Sequence, residues 1–337
     1  MKNPKISVIM PVYNGEKTLA KSLNSIFRNN YRNFEVIVVD DNSADSSIRI
    51  AEKFPCKIIK LKKNYGGGYA RNQGSKAAKG DILLFVDSDI MIPENCIRYG
   101  FNYLSKHKDV TALLGLFSTN LAYNNFFSNY KHLYLRYYFL KQGRITHTLN
   151  TSLTFIRKGI FEKFNGFDTN INSVISEDAE LGMRLTENGC VIHQSRELEM
   201  EHMKYYSFRN FLDTEFVRSS RIFMAFAEKL LAKKKRKKQK GSFFFFKPIN
   251  IYLSIPIAYS IIISLLLSPL NLLFLPLGVS LLILFVAVNF DFWKFLKNER
   301  SLLFSIKASF ANFLSMLWMG IGIASGFFGL IFRHAKN

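Results

Sequence analysis

The stretch "GDILLFVDSDIMIPENC", residues 80 to 96, decides the fold of this chain. Five apolar residues, 82 to 86, follow one another without a polar break and end at Asp87-Ser88-Asp89. An uninterrupted apolar run of this length is typical of a strand that is buried on both faces, as in a parallel sheet. The two carboxylates at its end need a physical reason, because like charges this close raise each other's pKa.

The residues around this stretch alternate between strand and helix patterns. Strands are predicted for "KISVIMPVY" (5 to 13), "FEVIVVD" (34 to 40) and "KIIKL" (57 to 61), and helices for 16 to 28, "ADSSIRIAEKF" and "GYARNQGSKAAKG". Short apolar strands that alternate with helices indicate an α/β domain around a mixed, mostly parallel sheet. In such sheets ligands bind beyond the carboxyl ends of the strands. Asn14, the pair Asp40-Asp41 and the pair Asp87/Asp89 are therefore expected to line one cleft.

The Asp87-Ser88-Asp89 triplet has two interpretations. A divalent cation, Mg²⁺ or Mn²⁺, relieves carboxylate repulsion and binds through one or two carboxylates together with substrate phosphates. Alternatively, the triplet is a loop that turns on Asp and Ser, which are common turn formers.

Three other polar stretches also carry a functional and a structural interpretation. A carboxylate of Asp40-Asp41 can accept a hydrogen bond from a nucleotide base, or the pair can belong to a helix cap. The glycines of "NYGGGYARNQG" (64 to 74), with Arg71 in the helix that follows, allow close approach of a phosphate or form a tight turn. Glu177-Asp178 opens a helix, where a carboxylate serves as general base or simply complements the helix dipole.

Taken in order, "PVYN", "VDDNSAD", "NYGGGYARNQG", "AAKGDILLFVDSD" and "SEDAELGMR" resemble glycosyltransferase family 2, with its Rossmann-like GT-A nucleotide-sugar-binding fold. The resemblance covers residues 5 to about 190. It implies an inverting, in-line displacement at the anomeric carbon of a nucleotide sugar, without a covalent enzyme intermediate.

The resemblance also implies a role for each matching residue. Asp178 would be the catalytic base, and Asp89 and Asp87 would hold Mn²⁺ or Mg²⁺ on the donor diphosphate, with His202 as a further ligand in some relatives. A histidine at that position is also often structural. The nucleotide sugar, expected to be a UDP-sugar, would contact Pro11, Tyr13, Asn14, Asp41, Arg71, Asp87, Asp89 and Glu177. The QxxRW motif of processive synthases is missing from the nearest region, 211 to 223, which favours transfer of one sugar at a time.

The composition changes sharply after about residue 230. The formal net charge is +21, and the run "KKKRKKQK" (233 to 240) precedes three uncharged stretches, 249 to 270, 271 to 290 and 308 to 332. Each is long enough for a bilayer, which needs about 20 apolar residues per helix. The basic run is thus expected to lie beside the cytoplasmic face of a membrane rather than on nucleic acid.

The predicted organisation is a cytoplasmic catalytic domain (1–230), a basic juxtamembrane linker (231–248) and a transmembrane region (249–332) of two to three helices. Three spans would place "RHAKN" outside, against the positive-inside rule, whereas two spans with a re-entrant or interfacial segment would satisfy it. The aromatic, basic stretch 126 to 144 is interpreted as a helix covering the sheet, with contact to lipid headgroups as the alternative.

These features together predict a multi-pass enzyme of the cytoplasmic membrane. It would transfer a sugar to a lipid-linked or membrane-presented acceptor, such as a polyprenyl phosphate, in cell-envelope glycan or glycolipid synthesis. The alternative is a membrane-anchored nucleotide-binding partner that has lost catalysis. Donor, acceptor and membrane lipids are the expected partners, and nucleic acid is not.

Overall fold

The computed structural model describes residues 5–169, 177–233 and 249–334, and the chain forms two compact units. The first unit comprises Met1–Asn124 and Gln142–Tyr205, and the second comprises Asn125–Lys141 and Tyr206–Asn337. Most of the predicted linker, with the basic run beyond Lys233, lies outside the described residues, as do residues 170–176 ahead of the acidic helix.

The strands described in the first unit form one mixed sheet. In chain order they are β1 (Ile6–Val12), β2 (Phe34–Asp40), β3 (Lys57–Lys60), β4 (Ile82–Val86), β5 (Ile90–Met91), β6 (Val110–Phe117), β7 (Leu153–Arg157) and β8 (Val191–His202). Their spatial order is β3-β2-β1-β4-β7-β6-β8-β5. Strands β1 to β4 run parallel, β8 runs parallel to β6, β7 runs against β4 and β6, and β5 runs against β8. The predicted mixed, mostly parallel sheet is confirmed.

The helices that the sequence pattern predicts agree in type and differ at their ends, and the structure adds helices that the pattern does not predict. In chain order they are α1 (Leu19–Phe27), α2 (Ser47–Ala51), α3 (Gly67–Ala77), α4 (Cys96–Lys106), α5 (Phe126–Gln142), α6 (Lys158–Lys163), α7 (Glu177–Glu187), α8 (Phe208–Lys233), α9 (Ile249–Leu267), α10 (Phe274–Val288), α11 (Phe290–Glu299) and α12 (Leu302–His334). The second helix is much shorter than predicted, because Asp45 and its neighbours are used in loop hydrogen bonds.

The core of the first unit lies on the apolar strands that the sequence pattern singled out. All five residues of β4 are buried, and the Phe85 ring packs against the rings of Phe161 and Phe167 at 5.4 Å and 5.3 Å. Full burial of one such aromatic side chain stabilises the fold by about 1.5–3 kcal/mol. This packing fixes the position at which β4 ends and its two aspartates begin.

Helix α5 is confirmed as a helix, and its buried side chains belong to a core of the second unit. Tyr130 packs edge-on against Phe211 of α8 and Phe292 of α11, within a core shared by the helices of the second unit. The same helix carries Lys131, which forms a buried ion pair with Glu215 of α8. The helices α5 and α8, predicted to belong to the catalytic domain, therefore group with the C-terminal helices.

Two of the described helices are long and apolar enough to cross a membrane, with windows at Asn250–Leu267 and Leu302–Ile331. The predicted middle span differs in structure. Helix α10 ends at Val288 after 15 residues, about 22 Å, and the chain bends by 59° into α11. A third span exists only if this bent pair counts as one.

Candidate functional site

The loops that follow β1 and β2 are joined by hydrogen bonds at the carboxyl edge of the sheet. Asn14 adopts a left-handed backbone conformation (φ 51°), and its amide N–H donates to Ser43 Oγ at 3.0 Å. The Asn14 side-chain oxygen accepts a hydrogen bond from the Ala44 amide at 2.9 Å. Asn14 thus fixes the position of the loop that carries the Asp40-Asp41 pair.

Asp40, the last residue of β2, and Asp41 directly after it accept hydrogen bonds from backbone amides. Asp41 is buried and accepts hydrogen bonds from the amides of Tyr65 and Gly66, both at 2.8 Å. Asp40 accepts a hydrogen bond from the Ser43 amide at 3.2 Å, which shapes the loop. Asp41 therefore orders the glycine-rich segment ahead of α3. Its contact with a nucleotide base stays a prediction.

The aromatic residues near this edge are more open. Tyr13, directly after β1, is 53% exposed, and Pro11 is half-buried within β1. The Tyr65 ring stacks on that of Tyr69 at 4.4 Å, and Lys63 lies 5.0 Å from the Tyr65 ring centroid. These aromatic rings lie next to the loop ordered by Asp41, and Tyr65 and Tyr69 are not among the site residues predicted from the sequence.

Arg71 links the two acidic motifs. Its guanidinium donates to Asp87 at 2.6 Å and to Glu177 at 3.1 Å, and the residue is only 6% exposed. Burial would lower the pKa of Arg71, but the carboxylates of Asp87 and Glu177 outweigh it and raise that pKa. We call this arrangement of Arg71, Asp87 and Glu177 the Arg71 bridge. It joins the end of β4 to the start of α7, which are 90 residues apart in the chain.

Asp87 has a second partner that the sequence argument missed. Its other carboxylate oxygen accepts a hydrogen bond from Ser152 Oγ at 2.9 Å. Ser152 precedes β7, and because β7 runs against β4, the start of β7 lies beside the end of β4. The polar run Asn150-Thr151-Ser152 before an apolar strand was the available signal. Both oxygens of Asp87 are engaged by protein groups.

Asp89 lies against His202. Their side chains approach to 3.2 Å, and the pairing of Ile90 with His202 in the β5–β8 ladder brings them together. Burial would raise the pKa of Asp89, but the hydrogen bond and charge of His202, with the charge of Lys204, hold it below its usual value. The Asp89 side chain is 33% exposed, so one face of this pair remains open to a ligand.

The donor set at Asp89 fits a hard divalent cation that is shared with a substrate. Among the residues described, no three side chains of His, Cys, Asp or Glu form a metal-binding group. Asp89 and His202 do offer a carboxylate oxygen and an imidazole nitrogen side by side. Mg²⁺ is usually bound by one or two carboxylates plus substrate phosphates, so a two-residue protein contribution is chemically sufficient. Both carboxylate oxygens of Asp87 already accept hydrogen bonds, one from Arg71 and one from Ser152. Direct binding of the metal ion by Asp87 stays a prediction.

Asp178 occupies the first turn of α7. One carboxylate oxygen accepts from the Thr151 amide at 3.4 Å, and the other accepts from the Ala179 amide at 2.8 Å. The side chain is half-buried, beside the Glu177 end of the Arg71 bridge. A carboxylate held in this way can accept a proton from a hydroxyl that enters from the open side.

A sheet of this topology with carboxylates at the ends of β2 and β4 defines a GT-A nucleotide-sugar-binding domain. Residues 7–164 match the sequence profile described as "Glycosyl transferase family 2". This part of the chain, somewhat less than half of it, is a glycosyltransferase family 2 domain.

Curated relatives share part of this chain. The poly(ribitol-phosphate) beta-N-acetylglucosaminyltransferase TarS of Staphylococcus aureus is 37% identical over 123 residues, which are 34% of this chain and 22% of TarS. The minor teichoic acid biosynthesis protein GgaB of Bacillus subtilis is 33% identical over 195 residues, 53% of this chain and 21% of GgaB. The chain thus spans about a fifth of the length of these two relatives.

One solved structure resembles the chain over most of its length. It is the mannosyltransferase PcManGT from Pyrobaculum calidifontis, in complex with GDP-Man and Mn²⁺. The TM-score is 0.58 at 19% identity, covering 93% of this chain and 88% of that one. This likeness concerns the fold.

Proposed function

We propose that the chain transfers one sugar from a nucleotide-sugar donor, a UDP-sugar, to a lipid-linked or membrane-presented acceptor in cell-envelope glycan synthesis. The family match of this domain supports the reaction class. The printed names of TarS and GgaB refer to poly(ribitol phosphate) and teichoic acid, and they support an envelope polymer or its lipid-linked precursor as the context. A polyprenyl phosphate is an acceptor of suitable chemistry.

The Arg71 bridge is the observation that carries this proposal. A nucleotide-sugar transferase must hold the donor diphosphate and the base that activates the acceptor at a fixed separation. Arg71 ties Asp87, in the diphosphate-binding triplet, to Glu177, the neighbour of the proposed base Asp178. Reacting groups held in fixed geometry gain rate because the entropy of bringing them together has already been lost.

The proposed reaction is an inverting, in-line displacement. Asp178 accepts the proton of the acceptor hydroxyl as its oxygen attacks the anomeric carbon, and the nucleoside diphosphate leaves from the opposite face. Asp41, Asn14, Pro11 and Tyr13 contact the base and ribose. Arg71 and Glu177, paired with each other, contact the donor from α3 and α7.

Asp89 and His202, with Asp87 beside them, would hold Mn²⁺ or Mg²⁺. When bound, the ion supplies positive charge to the departing diphosphate. The role of the protein is to present Asp89 in its ionised form, which its lowered pKa favours.

The proposed location is the cytoplasmic membrane, with the active site in the cytoplasm. Two to three apolar helices in the C-terminal part of the chain support contact with the bilayer. A multi-pass topology stays a prediction.

The proposal is tested by a donor screen with the full chain in lipid, measuring release of nucleoside diphosphate with and without chelator. We expect release from a UDP-sugar that stops with chelator and returns with Mn²⁺. Asp178→Asn should lower turnover by about 10²–10⁴-fold and leave donor affinity unchanged. Glu187→Gln, an equivalent change at the exposed end of the same helix, should leave turnover intact.

The second candidate is a nucleotide-binding partner without catalysis. It is favoured if the wild-type chain binds UDP but releases no product with any donor and acceptor. Measurable turnover that Asp178→Asn does not change would refute the assignment of the base.

A further inference from the structure

The segment between α9 and α10, residues 268–273, is unusual for a loop in water, and we call it the hairpin tip. It carries no charged residue, and its leucines Leu270, Leu272 and Leu273 are 81%, 75% and 74% exposed. The uncharged sequence continues on both sides, from Ile249 to Phe290. Contiguous exposed apolar surface of this kind marks contact with another apolar phase.

The backbone of the hairpin tip is suited to that phase. The amides of Leu270 and Asn271 donate to the Leu267 carbonyl at 3.0 Å and 3.2 Å, and the Phe274 amide donates to the Asn271 carbonyl at 3.1 Å. The Leu273 amide donates to the Asn271 side chain at 2.9 Å. In hydrocarbon, backbone polar groups must be satisfied within the protein, because no water is available to them. These contacts satisfy the amides of Leu270, Asn271 and Leu273 within the protein, which favours a hairpin tip inside the bilayer over one beyond its far side.

The returning arm of the hairpin is short and ends in an amphipathic helix. Helix α10 has a length of about 22 Å, against a hydrocarbon core of about 30 Å. The chain then bends by 59° at Asn289, whose side chain is bonded to Ser254. Helix α11 buries Phe292 and Leu296 and carries exposed lysines beside Trp293. Lysine next to tryptophan is typical of the membrane–water interface.

Helix α12 packs along helix α8, which carries too many charged residues to enter the hydrocarbon of a bilayer. A Cβ at Gly322 would overlap Ser219 Oγ, and one at Gly326 would lie 2.7 Å from the Ser220 carbonyl oxygen, so α8 and α12 pack closely there. Exposed Arg218 and Arg221 of α8 lie within one turn of these contacts. Helix α12 is about 50 Å long, so a span centred on it would take these arginines into the hydrocarbon. Ionisable groups there are costly and rare.

The side of α12 that is turned away from α8 is largely apolar. Exposed Leu303, Ile306, Phe310, Ile321 and Phe328 occur from its first turns to near its end, and the exposed Lys307 lies at its edge. One face meets the charged helix α8 and the other is open, which is the arrangement of a helix lying at a membrane surface. Arg333, His334 and Lys336 at the end of the sequence favour the cytoplasmic side, which a third crossing would not allow.

We propose that the second unit is a monotopic anchor: the α9–α10 hairpin and the apolar face of α12 enter one leaflet of the cytoplasmic membrane, and the described helices do not cross it. This inference keeps the membrane placement of the proposed function, on which it rests, and replaces the predicted multi-pass topology. The acceptor class that fits this arrangement is a lipid whose headgroup faces the cytoplasm.

The test is cysteine accessibility in the full chain after replacement of Cys56, Cys96 and Cys190. A single cysteine is placed in the hairpin tip by Leu272→Cys, and a matched control at the exposed end of α11 by Asn298→Cys. A membrane-impermeant maleimide is applied to intact spheroplasts and, separately, to inverted vesicles.

Monotopic anchoring predicts that Leu272→Cys reacts from neither side until detergent is added. Asn298→Cys and Arg333→Cys should react in inverted vesicles only. Labelling of Leu272→Cys from outside would show that the hairpin crosses, and its labelling in inverted vesicles would show that the tip is in water. Labelling of Arg333→Cys from outside would show that α12 crosses. Each of these three results overturns the proposal.

A second measurement uses the two tryptophans of the chain. In Trp318→Phe, the remaining Trp293 should be quenched more strongly by lipids brominated near the headgroup than near the bilayer centre. The reverse order would contradict an interfacial α11. Neither readout requires turnover, so failure of the anchor model and failure of the proposed transferase activity are distinguishable.

Discussion

Replacement of Arg71 by methionine tests the central feature of the site. The change keeps a long side chain but removes the guanidinium that pairs with Asp87 and Glu177. Removing one partner of a buried ion pair costs about 3–5 kcal/mol, because the remaining charge is left uncompensated. The Asp87 and Glu177 side chains are 27% and 34% exposed, so water compensates part of this loss. We expect about 2–3 kcal/mol.

The first assay is thermal unfolding of the full chain in detergent. For a unit of 150–250 residues, 1 kcal/mol shifts the Tm by about 2–4 °C, so Arg71→Met should lower it by about 5–10 °C. Release of UDP should fall on the order of 10²-fold, because small displacements of reacting groups have effects of that size. Arg71→Lys should lie between wild type and Arg71→Met, since one ammonium cannot reproduce the two-armed contact.

Two controls make the result specific to the Arg71 bridge. Arg49→Met removes an arginine from the exposed surface of α2 and should change stability by less than about 0.5 kcal/mol. The double variant Arg71→Met/Glu177→Gln should be less destabilised than the sum of the single variants, because the two side chains interact directly. An Arg71→Met protein that melts within about 1 °C of wild type would refute the reasoning.

Three further predictions concern pH, close packing and the second unit. Because the pKa of Asp89 is lowered in the folded state, its stabilisation is present above its ordinary pKa and is lost as pH falls through the lowered value. The Tm difference between wild type and Asp89→Asn should therefore narrow from about pH 5 to pH 3, and a constant difference would contradict the assignment. Gly182→Ala should destabilise by about 1–3 kcal/mol in urea unfolding, because its Cβ would lie 2.5 Å from the Leu149 backbone nitrogen. Gly159→Ala, with nothing within 4 Å, should stabilise by about 0.4–1 kcal/mol, and equal effects would refute the packing argument. Lys131→Met should cost about 3–5 kcal/mol because it removes the ammonium that pairs with the buried Glu215 carboxylate. Adding Glu215→Leu should restore most of the Tm, and no recovery would count against the ion pair as the cause.

Local patterns were sufficient for the first four strands and for the helices between them, whereas β5 to β8, α4 and α6 were not predicted. A buried strand is recognised from a short run of apolar residues, without knowledge of the rest of the chain. The predicted bounds of β1, β2 and β4 therefore agree with the structure to within a residue or two. The acidic residues at their ends could be assigned to one edge because parallel strands share a direction. Helix α5 shows the limit of this approach, because its sequence predicts a helix but does not identify the surface against which it packs.

The sequence by itself determined the α/β pattern, the acidic strand ends and the apolar C-terminal region, since each depends on neighbouring residues and their periodicity. Only the tertiary structure decided that Arg71 joins Asp87 to Glu177, that His202 reaches Asp89, and that α12 lies along the charged helix α8. These contacts join residues 16 to 113 positions apart within the site. Their geometry depends on how the packed elements meet, which no local pattern of residues specifies.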